Sequence, residues 1–411
     1  MKSAMQNSEK RWFIAVMATL VHLCLGTVYA WSFFQKTVSE TFGWSNSETA
    51  WAFSLAIFML GVTASWGGQN LQKFGPRKLA LIGAFLYAFG YIISYFALQN
   101  ESLWLLYFGY GIVGGIGLGL AYVTPVATVS KWFPDKQGLV TGMVVMGFGL
   151  GALLMSKLLA PIFLEYFEKD LAKTFLAIGI TLLVLLPFFA NFLNLPTEEK
   201  STEISAEKLS ATKEILSPNF IFIWLIFMFN VVAGMIFISF QSPLLQDLLK
   251  AENVKIDTAT LEKSGATLIA ISALFNGLGR FFWGSISDKL GRVTTFRLLL
   301  LIEMGVFASL IFIKSPILFS VGVCLILLNY GGGFGVLPSL IKDFFGTKLM
   351  PIVYGAALTA WGVGGILGPQ ITAYMKDHFA ENAGLYAYKV ALVLIALGIG
   401  LSFFVKNKKA Q

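Results

Sequence analysis

The sequence predicts an all-α membrane protein, with twelve transmembrane helices arranged as two pseudo-symmetric six-helix halves. The first observation behind this fold class is composition: 56% of the 411 residues are hydrophobic and 13% are charged, whereas globular domains carry about 25% charged residues. The second is that apolar stretches of about 20 residues, long enough to cross a bilayer, recur along the whole chain. The third is a set of turn and glycine motifs that repeats at matching positions in the two halves.

Each predicted span is an apolar stretch that ends at charged or turn-forming residues. The first one is expected to stay in the mature protein, because its apolar run is too long for a cleavable signal and lacks a small-residue cleavage site. The twelve predicted spans are 12–36, 48–69, 79–97, 102–129, 138–160, 171–194, 219–246, 264–286, 296–313, 316–341, 351–374 and 385–405.

The distribution of Lys and Arg predicts the orientation of the chain. With the amino terminus inside, most of the thirty basic residues lie in segments on the inner side. This is the positive-inside bias of cytoplasmic segments. Both termini are therefore predicted to be cytoplasmic, and the net charge of +8 requires no nucleic-acid partner.

One long polar segment separates six predicted spans from the other six. This segment, "PTEEKSTEISAEKLSATKEILSP", is charged and rich in Ser and Thr, as expected for a linker. The predicted organisation is an N-terminal half over 1–195, a cytoplasmic linker over 196–217 and a C-terminal half over 218–411.

The two predicted halves share short motifs at matching places. The turn "GQNLQKFGPRK" (68–78) follows the second span, and the similar turn "GSISDKLGRV" (284–293) follows the eighth. Three glycines of the fifth span match three of the eleventh: Gly142, Gly149 and Gly151 with Gly355, Gly362 and Gly364. Duplicated six-helix halves are typical of secondary transporters.

Arg280 is a permanent cation inside the apolar eighth span, because a guanidinium does not lose its proton. Ser272, Asn276, Arg280 and Gly284 recur every four residues and so share one face of the helix. One interpretation is that Arg280 snorkels to the inner end of the span, about 9 Å away. Snorkelling does not explain the neighbouring Ser272 and Asn276. We interpret the stripe as an anion site, since the guanidinium fork can bind a carboxylate through two parallel hydrogen bonds.

Other polar groups within the spans are weaker candidates. His22 is a candidate proton carrier, or a neutral histidine bonded to a neighbouring helix. Tyr122 and Tyr330 offer hydroxyls for a carboxylate or a 2-hydroxy group, or for a backbone carbonyl. Asn329 precedes the glycines 331–333, which predict either a flexible segment beside the site or close helix packing. Without metal-ligand spacing, a phosphate-binding loop or a nucleophile–base pair, the sequence predicts no metal, no cofactor and no enzyme.

The sequence resembles the major facilitator superfamily, and within it the oxalate:formate antiporter branch, which includes bacterial monocarboxylate carriers. The resemblance covers essentially the whole chain. It implies a monomeric, multi-pass protein of a bacterial or archaeal plasma (inner) membrane that works by alternating access. The stretches that carry it include "GTVYAWSFF" (26–34), "KWFPDKQGL" (131–139), "NGLGRFFWGSISDKLGR" (276–292), "NYGGGFGVLPSLIKDFFG" (329–346) and "YGAALTAWGVGGILGP" (354–369). The superfamily's conformational loop motif is matched by Gly284, Asp288, Lys289, Gly291 and Arg292.

The resemblance also implies roles for individual residues. In related carriers the arginine at the place of Arg280 binds the substrate carboxylate, and oxalate carriers add a lysine where this sequence has Trp361. One cation suits a monocarboxylate, because a dicarboxylate would keep an unpaired charge in a low-dielectric cavity. Glu303 is interpreted as a structural partner, because the ninth helix is peripheral in this superfamily. The residues expected to line the cavity are Tyr29, Tyr122, Phe148, Tyr330 and Phe334.

The sequence therefore predicts a secondary active transporter of small monocarboxylates such as lactate, pyruvate or formate. Proton symport and anion exchange both stay open, because related proton-linked carriers have an aspartate where this chain has Asn276. The expected partners are the carboxylate, the lipid bilayer and, for symport, protons. The alternatives are an oxalate:formate-type antiporter and a carboxylate sensor that keeps the fold without transporting.

Overall fold

The computed structural model of this protein describes residues 2–133, 135–196, 204–346, 349–379 and 382–405. Within these residues, twelve helices are long and apolar enough to cross a membrane and there is no strand, which confirms the predicted fold class. The helices are α1 (Glu9–Phe42), α2 (Asn46–Phe74), α3 (Pro76–Gln99), α4 (Leu103–Trp132), α5 (Leu139–Tyr166), α6 (Leu171–Ala190), α7 (Pro218–Glu252), α8 (Thr258–Leu290), α9 (Arg292–Leu310), α10 (Pro316–Phe345), α11 (Ile352–Phe379) and α12 (Ala383–Ser402).

Most helices extend beyond the predicted apolar spans, because the prediction counted only the stretch that suits lipid. The longest, α7, has 35 residues, whereas about 20 suffice to cross the hydrocarbon core. Within α1 the helix tightens to a 3₁₀ segment over Gly26–Ala30. An additional helix, Ile204–Ile215, occupies part of the predicted linker. Residues 197–203 of that linker lie outside the described residues, and the domain boundaries stay predictions.

The two halves use the same tight turn after their second helix. Gly75 separates α2 from α3 with a φ of 76°, and Gly291 separates α8 from α9 with a φ of 84°. Side chains with a Cβ are strained in this left-handed region, whereas glycine is not. The turn motif noted in the sequence thus has one backbone geometry in both copies.

The matched glycines bring helices into direct backbone contact between the halves. A Cβ on Gly149 of α5 would lie 2.8 Å from the Cα of Gly277 in α8. In the same way, a Cβ on Gly61 of α2 would lie 2.8 Å from the backbone nitrogen of Gly362 in α11. No side chain fits at such distances, so the glycines permit the close contact of the halves.

The next glycine of each set packs inside its own half. A Cβ on Gly151 would lie 2.2 Å from the carbonyl carbon of Gly26 in α1, and a Cβ on Gly364 would lie 2.5 Å from Val231 in α7. Since α1 and α7 are the first helices of the two halves, these contacts are equivalent. Gly142 differs, because no side chain and no other helix of the described residues comes within 4 Å of its Cβ position. The contact between α5 and α8 therefore does not extend to this point.

We call the end of the bundle where α1 begins and α12 ends the terminal end, and the opposite end the distal end. Several hydrogen bonds join the two halves at the distal end. The Asp377 carboxylate of α11 accepts the backbone N–H of Asn46 at 2.9 Å and that of Ser47 at 2.8 Å, at the start of α2. Their side chains donate to it as well, at 3.0 and 2.5 Å. Lys36 donates to Gln246 at 2.9 Å.

We expect Asp377→Asn to weaken closure at the distal end about fivefold. The amide accepts through one oxygen only, and a hydrogen bond to a charged acceptor contributes about 1 kcal/mol more than a neutral one. The readout is the labelling rate, in detergent, of a Ser32→Cys thiol, because Ser32 is buried and its hydroxyl accepts the backbone N–H of Ser242 from the other half. Cys24 and Cys324 would first be replaced by alanine. Asp170→Asn is the matched control, because this carboxylate caps α6 within one half. Equal labelling rates in Asp377→Asn and Asp170→Asn would contradict the role of Asp377 in holding the distal end closed.

Candidate functional site

The polar stripe of α8 faces the interior of the protein. Arg280 is 1% exposed, and its Nε donates to Oδ1 of Asn276, one turn earlier, at 3.3 Å. Further toward the distal end, the Ser272 hydroxyl donates to Oε1 of Gln241 in α7 at 2.6 Å. Asn276 thus orients the guanidinium from within the same helix, and the polar face avoids lipid.

Aromatic rings from both halves surround the guanidinium. Its Cζ lies 4.7 Å from the ring centroid of Phe334 in α10 and 5.7 Å from that of Phe148 in α5. At these distances the ring faces attract a cation. The Trp361 ring lies 4.7 Å from Phe334 and 5.5 Å from Phe148, so it closes the group from the side of α11. The cation therefore sits between the halves, among four helices.

Three tyrosines lie beside these rings. We call the six rings around Arg280 the aromatic group: Tyr29, Tyr122, Phe148, Tyr330, Phe334 and Trp361. The hydroxyls of Tyr29 in α1 and Tyr330 in α10 form a hydrogen bond across the halves. Tyr29 belongs to the 3₁₀ segment of α1, where Gly26 packs against the backbone of α5. The Tyr122 ring of α4 lies 5.0 Å from Trp361. The structure thus brings together predicted residues that are far apart in the chain.

Several buried donors in and beside the aromatic group make no hydrogen bond with the described residues. They are Nη1 and Nη2 of Arg280, the hydroxyls of Tyr122 and Tyr354, and Nε1 of Trp361. The Tyr122 hydroxyl lies within electrostatic reach of both Arg280 and Tyr354, so the donors are neighbours. An unsatisfied buried donor costs about 1–3 kcal/mol, and more when it is charged. An acceptor with negative charge would satisfy several of them at once.

His22 lies beside this group in the N-terminal half. Its ring stacks on Tyr122 with centroids 4.7 Å apart, and its Nε2–H donates to the Tyr122 carbonyl at 2.9 Å. The bond fixes the ring against α4. The predicted role of His22 in proton transfer stays a prediction.

Asn329 is not brought to the guanidinium. Its side-chain nitrogen lies 3.5 Å from the carbonyl of Leu299 in α9, and its own carbonyl accepts from Asn230 of α7. Adjacent residues of a helix point about 100° apart, so Asn329 and the next residue face different neighbours. The glycines after it pack α10 on α8: a Cβ on Gly331 would lie 2.1 Å from the carbonyl oxygen of Asn276.

The predicted loop motif lies at the terminal end, away from the aromatic group. Arg292 forms an ion pair with Asp288 one turn earlier, and its Nε lies 3.4 Å from a carboxylate oxygen of Asp343 in α10. Its Nη1 also donates to the carbonyl of Gly284 at 3.4 Å. Arg292 therefore fastens the turn between α8 and α9 to α10.

The structure adds three polar residues that the sequence analysis did not select. Tyr354 of α11 lies beside Tyr122, and Gln241 and Asn230 lie on the buried face of α7. The rule that drew attention to α8 also applies to α7, because amide side chains inside an apolar span indicate contact with protein. Tyr354 carried no such signal, since tyrosine is common at the ends of membrane spans.

The described residues form twelve helices that can span a membrane, in two related halves with a buried polar group between them, and this is the architecture of a secondary transporter. The chain belongs to the Major Facilitator Superfamily, whose family model matches residues 12–369. The protein is therefore a multi-pass membrane transporter and not an enzyme.

Two relatives indicate the branch of the superfamily to which this chain is most similar in sequence. The oxalate:formate antiporter of Oxalobacter formigenes is 27% identical over 402 residues, which cover 96% of this chain and 91% of the relative. Apicoplast pyruvate carrier 1 of Toxoplasma gondii is 23% identical, with 97% and 89% covered. These matches agree with the oxalate:formate and monocarboxylate branch that the sequence motifs predict.

A solved structure supports the fold. The bacterial homologue of the human lysosomal transporter Spinster, in an inward-facing and unoccupied conformation, superposes with a TM-score of 0.70. The match covers 96% of this chain and 97% of that chain at 16% identity. At this identity it shows the fold alone, which is the major facilitator fold that the sequence predicts.

Proposed function

We propose that this transporter carries small monocarboxylate anions, of the lactate, pyruvate or formate type, across the plasma membrane. The observation that carries the proposal is the Arg280 guanidinium, which is buried between the halves and whose Nη atoms make no hydrogen bond of normal length and angle with the described residues. Such a fork binds one carboxylate through two parallel, charge-assisted hydrogen bonds. The Tyr122 hydroxyl and Trp361 Nε1 are then available to a 2-oxo or 2-hydroxy substituent.

The charge of the site favours a single carboxylate. Arg280 is the cation beside the aromatic rings. Where oxalate carriers have a lysine, this chain has Trp361, which is buried among four aromatic rings. A second carboxylate would enter this region without a counter-ion. Removing an ion from water without pairing it costs several kcal/mol.

The burial of the site supports alternating access. Arg280 and Trp361 are at most 1% exposed, and the distal contacts through Asp377 hold the halves together on one side. An anion therefore reaches the guanidinium only when the halves part. At Gly149 and Gly277 the backbones of α5 and α8 meet without a side chain between them, and we propose that α5 and α8 separate at this contact.

The test is counterflow of radiolabelled pyruvate in proteoliposomes, with unlabelled acids as competitors. We expect lactate, formate and pyruvate to compete, and oxalate and malonate to compete at least tenfold more weakly. Labelled exchange in this assay also separates a transporter from a sensor, which would bind the acid without flux. Competition by oxalate that exceeds competition by every monocarboxylate would contradict the proposal.

Oxalate:formate exchange is the second candidate, favoured by the relative of that name. The two candidates differ at Trp361. We expect Trp361→Lys to shift the oxalate-to-pyruvate preference toward oxalate by about tenfold, because a second buried cation supplies the missing counter-ion. Trp361→Phe, which opens space without adding charge, is the control. The measurement is the ratio of the two competition constants, and an equal shift in both variants would attribute the effect to volume.

A further inference from the structure

The ninth helix carries a carboxyl group in the middle of the bundle. Glu303 is 0% exposed and lies about 17 Å along α9 from its first residue. Its Oε1 accepts a hydrogen bond from Nδ2 of Asn230 in α7 at 2.7 Å. Its Oε2 makes no hydrogen bond with the described part of the chain. The structure therefore gives this group one amide donor.

No cation of the described residues neutralises Glu303 by an ion pair, since no Lys or Arg nitrogen lies within 4.0 Å of it. The helices packed against α9 are α7, α8, α10 and α12. The inward ionisable groups of these helices have other neighbours, and their remaining charged residues lie toward the helix ends. Arg280 faces Phe334, Tyr330 bonds Tyr29, Tyr388 packs on Phe307, and Cys324 is a buried thiol.

In this apolar environment the protonated form of Glu303 is more stable than the ionised form. An ionised carboxylate with a single amide donor in an apolar interior costs several kcal/mol. A carboxylic acid is neutral, and its Oε1 keeps the hydrogen bond from Asn230. We therefore infer that Glu303 carries a proton in the closed conformation when an anion neutralises Arg280.

Close packing connects this carboxyl group to the Arg280 site. The Asn230 amide that bonds Glu303 also lies 3.4 Å from the carbonyl of Asn329 in α10. A Cβ on Gly333 would lie 1.9 Å from Oδ1 of Asn230, and one on Gly234 would lie 2.2 Å from the Tyr330 ring. These contacts pack α7 directly on α10 at Gly234 and Gly333. A displacement of Asn230 therefore moves the α10 segment that bonds Tyr29 across the halves.

We propose that Glu303 is the proton-binding site of this transporter and makes it a monocarboxylate–proton symporter. Its carboxylate takes one proton from solvent on the side from which the anion enters, before the halves close over both, and it returns that proton when they part on the other side. One negative charge and one proton then cross together. The empty transporter then returns with Glu303 ionised and Arg280 unpaired, so that these two buried charges cancel. This inference rests on the proposed function, because it needs a carboxylate as the transported anion.

The experiment compares pyruvate accumulation driven by an imposed pH gradient with pyruvate counterflow, in the same proteoliposomes. For the wild type we expect at least tenfold accumulation on the alkaline side. Glu303→Gln keeps an acceptor for Asn230 but cannot titrate, so we expect its ratio of accumulation to counterflow to fall at least tenfold. Glu165→Gln, at an exposed position of α5, should keep the wild-type ratio. His22→Gln should keep it as well, because the proposal gives the coupling proton to Glu303.

The proposal is overturned if Glu303→Gln keeps the wild-type ratio, or if the ratio falls in His22→Gln alone. A wild type that shows counterflow but no accumulation contradicts this inference and leaves the proposed substrate class intact. A wild type without counterflow contradicts both. If Glu303→Gln is unstable in size-exclusion chromatography, Glu303→Asp replaces it. This shorter acid should shift the pH midpoint of uptake, and an unchanged midpoint would overturn the proposal.

Discussion

Replacing Arg280 with glutamine should lower the apparent affinity for pyruvate by roughly 10²- to 4 × 10³-fold and reduce counterflow to background. The reason is that removing one partner from a buried charge pair costs about 3–5 kcal/mol, with about 1.4 kcal/mol for each tenfold step. Asn276 would then face an amide instead of a guanidinium, and the bound carboxylate would have no counter-ion. Counterflow at saturating and subsaturating pyruvate measures the affinity and the maximal rate separately.

A second substitution at position 280 distinguishes the effect of the positive charge from the effect of the hydrogen-bond geometry. Arg280→Lys keeps the positive charge but loses the fork, and its single ammonium group cannot donate both to Asn276 and, in parallel, to two carboxylate oxygens. We expect an affinity loss of about ten- to a hundredfold, between wild type and glutamine, because each hydrogen bond to a charged group contributes about 1.5–3 kcal/mol. Arg77→Gln is the matched control, since Arg77 bonds Asn191 at the terminal end. Normal counterflow in Arg280→Gln would contradict the assignment of Arg280 as the residue that binds the carboxylate.

The twelve spans were predictable because hydropathy is a local property of the sequence. An apolar run of sufficient length has no other stable place than the bilayer, whatever the rest of the chain does. The ends of the helices were less predictable, since polar residues such as those at the end of α1 continue a helix into the interface without an apolar signal. The turn at Gly75 and Gly291 was predictable because both its glycine and its basic residues are visible in the sequence.

The candidate site was predictable only where its parts share one helix. Asn276 and Arg280 are one turn apart, so their contact follows from helix periodicity. The resemblance supplied Trp361 and Phe334, and no local pattern would have placed them against the guanidinium. Tyr354 was missed because its contact with Tyr122 depends on how α4 and α11 pack.

Glu303 shows a different limit of sequence reasoning. Its position on a peripheral helix favoured a structural role, and a sequence does not show which donors reach a buried carboxyl group. The structure identifies Asn230 as the donor and shows that this amide also touches α10. The inference of a proton site thus depends on packing between three helices, which no single helix encodes.

Exchanging Gly149 for alanine should reduce counterflow about ten- to a hundredfold. The added Cβ would lie 2.8 Å from the Cα of Gly277 and 3.3 Å from the carbonyl carbon of Asn276. Since these are backbone atoms, α8 must move away, and overpacking of this kind costs about 1–3 kcal/mol. The cost falls on the closed conformation that buries Arg280. Under the proposed alternating access, open conformations in which α5 and α8 separate are not penalised.

The chain offers a matched control on the same helix. Gly142 lies two turns earlier in α5, and no neighbouring helix in the described part of the chain comes within 4 Å of its Cβ position. Gly142→Ala should therefore transport at the wild-type rate. Both substitutions add one methyl group and raise helix propensity equally. A difference in counterflow between them therefore reports contact between the halves. If Gly149→Ala also transports at the wild-type rate, the contact with Gly277 does not form during transport, and α5 and α8 do not close over the anion as the structure shows.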